Sequence, residues 1–385
     1  MRRARGTAAG IILTVSGAPN GQVVQALREH GGLTRHGLVE ATGLSLATVN
    51  RALDQLANQG RIMVVGHQDS TGGRPPEIFA YDGDGQVAAG ISVTDDGATA
   101  LLVTMDGAVV GRDSTVFGRS SDPEARLQLT CELLDRVVDN PPGRLVGVGV
   151  AVPGVVTDAG GTVTAIHEMG WDRLSLGDLL ARRTNLPVLL ENDANCLAVA
   201  EHRRGAGRGV ANLVSLVARN GLGAGLITNG QLYRGMHHEA GEIGYLLTGR
   251  DSLGRMFPDR GELEQLVGGR RLAEESQRLG LDVSQDVTLL RLIGLGHTSG
   301  GDAGKLADEL LDLTALSIAA LCVVLDPELV IIGGGTDEAG MSVLIQGVRE
   351  RLVGRILRVP PMKPAALGAD AIMIGAASLA VDSLR

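Results

Sequence analysis

Two stretches of the chain, GISVTDDGATALLVTMDGAVVG at 90–111 and LVSLVARNGLGAGLITNGQLYRG at 213–235, carry one pattern. Each reads as an apolar strand, a glycine-containing turn and a second apolar strand. An Asp-Gly or Asn-Gly hairpin (Asp106-Gly107, Asn229-Gly230) and a third strand complete the pattern. In both, helical segments and a later apolar strand follow, LVGVGVAV at 145–152 and LVIIGGG at 329–335. Such a repeat predicts two related α/β lobes, and a cleft between lobes is the default place for a ligand. Composition agrees: 385 residues exceed one core, and 44% hydrophobic with 21% charged is the balance of a soluble globular chain. With aromatics at 2%, the cores must be built from Leu, Val, Ile and Ala. No apolar run reaches the roughly 18 residues of a membrane span, so no membrane partner is expected.

The first 19 residues are basic, and their apolar run at 11–15 is shorter than the roughly 7 to 15 residues of a secretory signal, so they read as a flexible basic arm. Cys131, Cys196 and Cys322 stand far apart in apolar segments, as buried free thiols of a reducing cytoplasm do. The net charge of −9 is uneven: residues 1–81 carry +3, leaving −12 for the rest. A basic module in front of an acidic body points to nucleic acid at one end.

From 20 the chain reads NGQVVQALREHGGLTRHGLVEATGLSLATVNRALDQLANQGRIMVVG. Val23, Val24 and Leu27 recur at helical spacing, and Gly31-Gly32 stops that helix. A second helix runs from its cap Thr34 to Thr42, Gly43 turns the chain, and Ser45 caps a third with Val49, Leu53 and Leu56 on one face. Helix, glycine turn, helix is the helix-turn-helix pattern. Ser45, Ala47, Thr48, Asn50 and Arg51 fall on or beside the opposite face, offering the short polar groups and the guanidinium that read a major groove. RIMVVG and EIFAYD form a wing whose loop carries Arg74 between two glycines and two prolines, fit for a minor groove. A three-helix protein–protein module and a solvated loop arginine are the alternatives. The expected division is an arm at 1–19, a winged helix-turn-helix at 20–82 and a two-lobed body at 83–385, its lobes meeting near 195.

The order helix-turn-helix, GGRP, ENDAN, AGEIG, GGG and ALGADAIMIGAA resembles the ROK family, which groups sugar-responsive repressors with sugar kinases. The resemblance covers about 20–380. It implies a winged helix-turn-helix fused to an α/β, two-lobed, actin-like (ribonuclease H-like) sugar-kinase fold. It also implies operator DNA as partner, bound by a homodimer or homotetramer whose DNA affinity a sugar or sugar phosphate in the cleft alters.

The resemblance assigns sugar contacts to Asn192, Asp193, Glu242 and Glu264. Asn192 and Asp193 end an apolar strand, where ligands of open α/β sheets sit, and a carboxylate beside an amide can hold two adjacent hydroxyls. Capping the following helix is the alternative for that pair. Asp193 stands at the family's base position, leaving open whether it removes a proton or only recognises a hydroxyl. The phosphate side departs from the kinase pattern. Ser92 stands where the kinases carry Asp, and Arg219 and Asn220 replace the Gly-Thr of their second phosphate turn. The family's zinc ligands are missing too: Tyr245 takes the His position with no Cys after it, which leaves Tyr245 to offer a hydroxyl to the sugar. His237-His238 read as loop histidines. The expectation is therefore a sugar sensor without catalytic residues, cofactor or metal.

Overall fold

The computed structural model describes residues 19–58, 61–68, 75–81, 85–105, 107–118, 122–157, 161–164, 169–258, 260–281, 287–335 and 337–383. The basic arm, Arg74 and Asp106 lie outside these residues. The chain divides into two compact units, which part after Gln86.

The first unit holds helices α1 (Pro19–His30), α2 (Arg35–Thr42) and α3 (Leu46–Asn58) with strands β1 (Leu33–Thr34), β2 (Ile62–His67) and β3 (Glu77–Tyr81). Thr34 caps α2 by accepting from the Gly37 N–H at 3.2 Å, and Gly43 ends it at φ 69°, where a side chain would be strained. Ser45 Oγ accepts from the Thr48 N–H at 3.2 Å and so caps α3. Val23, Val24, Leu27, Leu38, Val49, Leu53 and Leu56 close a core with Ile62 and Phe79 of the wing strands. β2 and β3 pair antiparallel with an irregularity between Val64 and Gly66. The sequence pattern did not reveal β1, which adds two residues to the edge of β3.

In the second unit the repeat becomes topology. One sheet runs β11-β7-β4-β5-β6, from β4 (Gln86–Val93), β5 (Gly97–Thr104), β6 (Val109–Val116), β7 (Arg144–Val152) and β11 (Val188–Asn192). The other runs β14-β13-β12-β15-β16, from β12 (Leu213–Ala218), β13 (Leu222–Thr228), β14 (Gln231–Leu232), β15 (Leu329–Gly333) and β16 (Met362–Pro364). Taken in chain order, both sheets have the arrangement fifth, fourth, first, second, third. The first pair of strands is antiparallel in each, while β11–β7 and β12–β15 are parallel. A small sheet of β8 (Val155–Val156), β9 (Thr162–Thr164) and β10 (Leu174–Ser175) extends the first lobe.

Helices α4 (Pro123–Asp139) and α5 (Leu176–Thr184) cover the first sheet, burying Leu133, Leu134, Leu176 and Leu180. The second sheet is covered by α7 (Glu262–Val267), α8 (Gly269–Arg278), α9 (Leu289–Ser299), α10 (Gly301–Leu325) and α11 (Glu338–Leu352). Between the sheets lie α6 (Asp193–Arg204) and α12 (Ala371–Ser383), whose Cys196, Ala198, Ala376 and Leu379 share one cluster with Ala151 of β7 and Leu213 and Ile331 of the second sheet. The last helix of the chain thus packs against the first lobe. Cys131, Cys196 and Cys322 are all buried. Among the described residues no helix is long and apolar enough to cross a membrane.

Candidate functional site

Asn192, Asp193, Glu242, Tyr245 and Glu264, distant in sequence, line one cavity of about 650 Å³. Parallel strand β11 carries Asn192 to the sheet edge, and α6 starts there with Asp193. The Asn192 side chain is the cap of α6. Its oxygen accepts from the N–H groups of Ala194 (2.9 Å) and Asn195 (3.2 Å), and its amide nitrogen donates to Gly154 O (3.0 Å). The cap occupies its oxygen and leaves at most one N–H for a ligand, so beside Asp193 the Asn192 amide can meet a hydroxyl only as a donor. Asp193 keeps a carboxylate facing the cavity, with one oxygen accepting from the Ala194 N–H at 2.8 Å. Burial pushes its carboxyl up to about 6, and the Ala194 N–H and the Arg219 charge offset part of that rise.

Glu242 sits on the loop after β14. Its neighbour Gly241 has φ 96°, and a Cβ there would stand 1.9 Å from Ala224 O of β13. Only glycine lets the loop press this closely on the sheet and aim Glu242 into the cavity. The Glu242 carboxyl is pushed up to about 7 by burial and by the charges of Asp193 and Glu239. Glu264 enters from the first turn of α7 and meets Gly221, where a Cβ would come within 2.9 Å of both carboxylate oxygens. Tyr245 ends a short 3-10 helix and stays half exposed at the cavity wall. Val155, Val217, Leu222 and Ile372 add apolar lining, so hydroxyl acceptors and C–H surfaces stand side by side, as a sugar requires.

Several contributors were not foreseen. Asp95, Glu239 and Arg260 also line the cavity. Glu191, a charge at the end of an apolar strand, is buried and accepts from Arg234 Nε (2.7 Å), Asn195 Nδ2 (2.9 Å) and the Asn192 N–H (3.0 Å). That ion pair, with Glu191 buried and Arg234 partly exposed, ties the loop bearing Glu242 to the start of α6. A glutamate closing the apolar strand before Asn192 was the available signal, but its partner 43 residues later was not legible. Ser92, Arg219 and Asn220 line the same cavity, where the Arg219 charge reaches Asp193 and Gly221, next to Asn220, meets Glu264. His237 and His238 precede Glu239 in the loop after β14, and His238 has positive φ.

In the first unit, Ser45, Ala47 and Arg51 are exposed along the start of α3, and Thr48 is half-buried with its hydroxyl 2.9 Å from Ser45 Oγ. Asn50 is corrected: its side-chain oxygen is buried without a partner, so the bidentate reading of an adenine edge is closed to it in this arrangement.

The ROK family model matches residues 89–383, and a winged helix-turn-helix DNA-binding model matches 21–63. Over 341 residues the chain is 25% identical to a xylose repressor of Caldicellulosiruptor bescii, covering 85% of each. It is 29% identical over 298 residues to a glucokinase of Thermotoga maritima, covering 72% of this chain and 92% of that one. A solved ROK family transcriptional regulator, described as a homologue of the E. coli MLC protein, superposes with TM-score 0.78 at 20% identity over 94% of this chain and 95% of its own. The relatives thus include both repressors and kinases.

Proposed function

The chain belongs to the ROK family, and from that premise we propose that it is a sugar-responsive transcriptional repressor, without kinase activity, working in the cytoplasm. Its partners are operator DNA and a sugar held in the cavity of the second unit. The observation that carries this reading is the company Asp193 keeps. Glu242 and Glu264 line the same cavity as Asp193, while the two turns that border it carry Ser92, Arg219 and Asn220 where a kinase needs its phosphate contacts. Asp193 then accepts a hydroxyl hydrogen bond without a phosphoryl group placed to receive the oxygen. Sugar binding favours one arrangement of the two lobes, and in a homodimer or homotetramer that arrangement no longer sets two recognition helices about 34 Å apart, one turn of DNA.

The test uses DNA selected in vitro from a random pool by the purified protein. A sugar panel should contain one member that weakens binding, by about 5 to 150 fold for a coupling of 1–3 kcal/mol. Asp193→Ala and Glu264→Ala should abolish that response and keep DNA binding. A response that survives both substitutions sinks the assignment of the cavity.

A working kinase with a DNA-binding module is the second reading. The Asp193 value near 6 favours it, since a base that takes a hydroxyl proton works best close to ambient pH. Against it, each missing phosphate contact costs on the order of 3 kcal/mol in the transition state. Sugar-dependent ATP turnover that Asp193→Asn abolishes would establish the kinase.

A further inference from the structure

The β4–β5 and β12–β13 turns occupy equivalent places in the repeat, and they meet where both border the cavity. In the first turn Thr94 closes on Gly97 through its N–H (2.8 Å) and hydroxyl (3.2 Å), which leaves Asp95 and Asp96 at the tip. In the second, the Arg219 N–H donates to Gly221 O at 3.2 Å. Its carbonyls are held from outside: Arg219 O by the Leu289 N–H (2.9 Å) and Asn220 O by the Gly269 N–H (2.7 Å). The side chains join across the gap. Asn220 Nδ2 lies 3.3 and 3.5 Å from the two oxygens of Asp95, and Arg219 Nη2 lies 3.5 Å from Asp96.

The Asn220 amide and one Arg219 guanidinium nitrogen are therefore turned toward the protein's own carboxylates, Asp95 in the cavity wall and the more exposed Asp96 beside it. Elsewhere in the lining, Asp193, Glu239, Glu242 and Glu264 join Asp95, against the two guanidinium groups of Arg219 and Arg260. A phosphate dianion entering here must displace carboxylates from Arg219 and Asn220, leave them unpaired, and stand beside Asp193. Like charges at such range repel strongly where water is scarce. An uncharged sugar meets none of these costs and finds several carboxylates ready to accept its hydroxyls.

Building on the sensor reading above, we propose that Asp95 and Asp96 are specificity determinants that hold the anion position between the two turns, so the cavity selects an unphosphorylated sugar and rejects sugar phosphates and polyphosphates. Arg219 and Asn220 form the latent anion site that these carboxylates occupy.

The experiment compares the full chain with D95N/D96N and D95N/D96N/R219A by calorimetry and thermal shift. The probes are D-xylose, D-glucose, N-acetyl-D-glucosamine, the 6-phosphates of the latter two, and pyrophosphate. The wild type should bind one uncharged sugar at least ten-fold more tightly than any phosphate form and show no pyrophosphate binding. D95N/D96N should gain ten-fold or more for pyrophosphate or a 6-phosphate, and R219A should remove that gain. The proposal is overturned if the wild type prefers a 6-phosphate, or if pyrophosphate binds all three proteins alike. Failure of every sugar to bind the wild type defeats the sensor reading instead, because the pyrophosphate comparison decides the role of the two aspartates without a sugar. Should the double variant not fold, D96N alone serves, since the Asp96 side chain is 67% exposed and its loss leaves the core untouched.

Discussion

Asp193 and Glu242 face one another's charge in a partly desolvated cavity, with carboxyls held near 6 and 7. Both values lie above those of an unfolded chain, so folding favours the protonated forms. Their contribution to stability is complete below about pH 4 and is lost as the pH rises through 6 to 7. Asp193→Asn, which keeps the shape without the charge, should therefore stabilise the protein at pH 8 by about 1–3 kcal/mol, since each ten-fold change in proton affinity between folded and unfolded chain is worth about 1.36 kcal/mol. The advantage should fade as the pH falls toward 4. Denaturant melts of both proteins across that range check it, and an equal difference at pH 4 and pH 8 would refute the electrostatic origin. The same two residues show what the sequence makes legible. The strand end marked Asp193, while Glu242 and Glu264 were nominated by the family resemblance of AGEIG and GELEQ. The motifs overrated Asn192, whose capping role depends on where α6 begins, and Asn50, whose oxygen turns inward for reasons the helical pattern does not carry. Asp95 and Glu239 gave no mark, since their place in the cavity comes from tertiary packing alone.

At the scale of elements, the hydrophobic pattern disclosed the three helices, the wing and both hairpin repeats, because amphipathic periodicity and Asn-Gly turns are local properties. It could not place α12. That helix is apolar nearly all round, which says only that it is buried; what it touches is fixed by close backbone approach. A Cβ on Gly375 would stand 1.9 Å from Cys196 O of α6, and one on Gly149 of β7 would stand 2.0 Å from Ala376 O of α12. At these glycines the two interior helices meet the sheet and each other with no side chain between. Gly375→Ala puts a methyl group where backbone cannot yield cheaply. It should cost about 1–3 kcal/mol, the usual range for overpacking. The substitution lies outside the cavity lining, so any loss of sugar response in a folded Gly375→Ala protein reports on the α6–α12 contact. A thermal melt unchanged from wild type would show that α6 and α12 are not packed this closely.

At the scale of the whole molecule, a sensor made of a DNA-binding unit and a ligand-binding unit is constrained by linkage however the signal travels. If a sugar lowers operator affinity by some factor, saturating operator DNA must lower sugar affinity by the same factor, since both routes end in the same ternary state. A 50-fold release corresponds to about 2.3 kcal/mol and therefore to a 50-fold weaker sugar dissociation constant on DNA, from RT of about 0.59 kcal/mol. This equality separates coupling from competition. If sugar and DNA competed for one surface, raising the DNA concentration would weaken sugar binding without limit instead of reaching a plateau. Calorimetric sugar titrations should be run with operator DNA in increasing excess, at one fixed salt concentration because protein–DNA affinity is strongly salt-dependent. The apparent sugar constant should climb and then level at the factor measured in the DNA-binding assay. A plateau at a different factor would mean that the protein changes its oligomeric state between the two measurements. The oligomer then takes part in the switch, with its assembly equilibrium as a third linked term beside sugar and DNA.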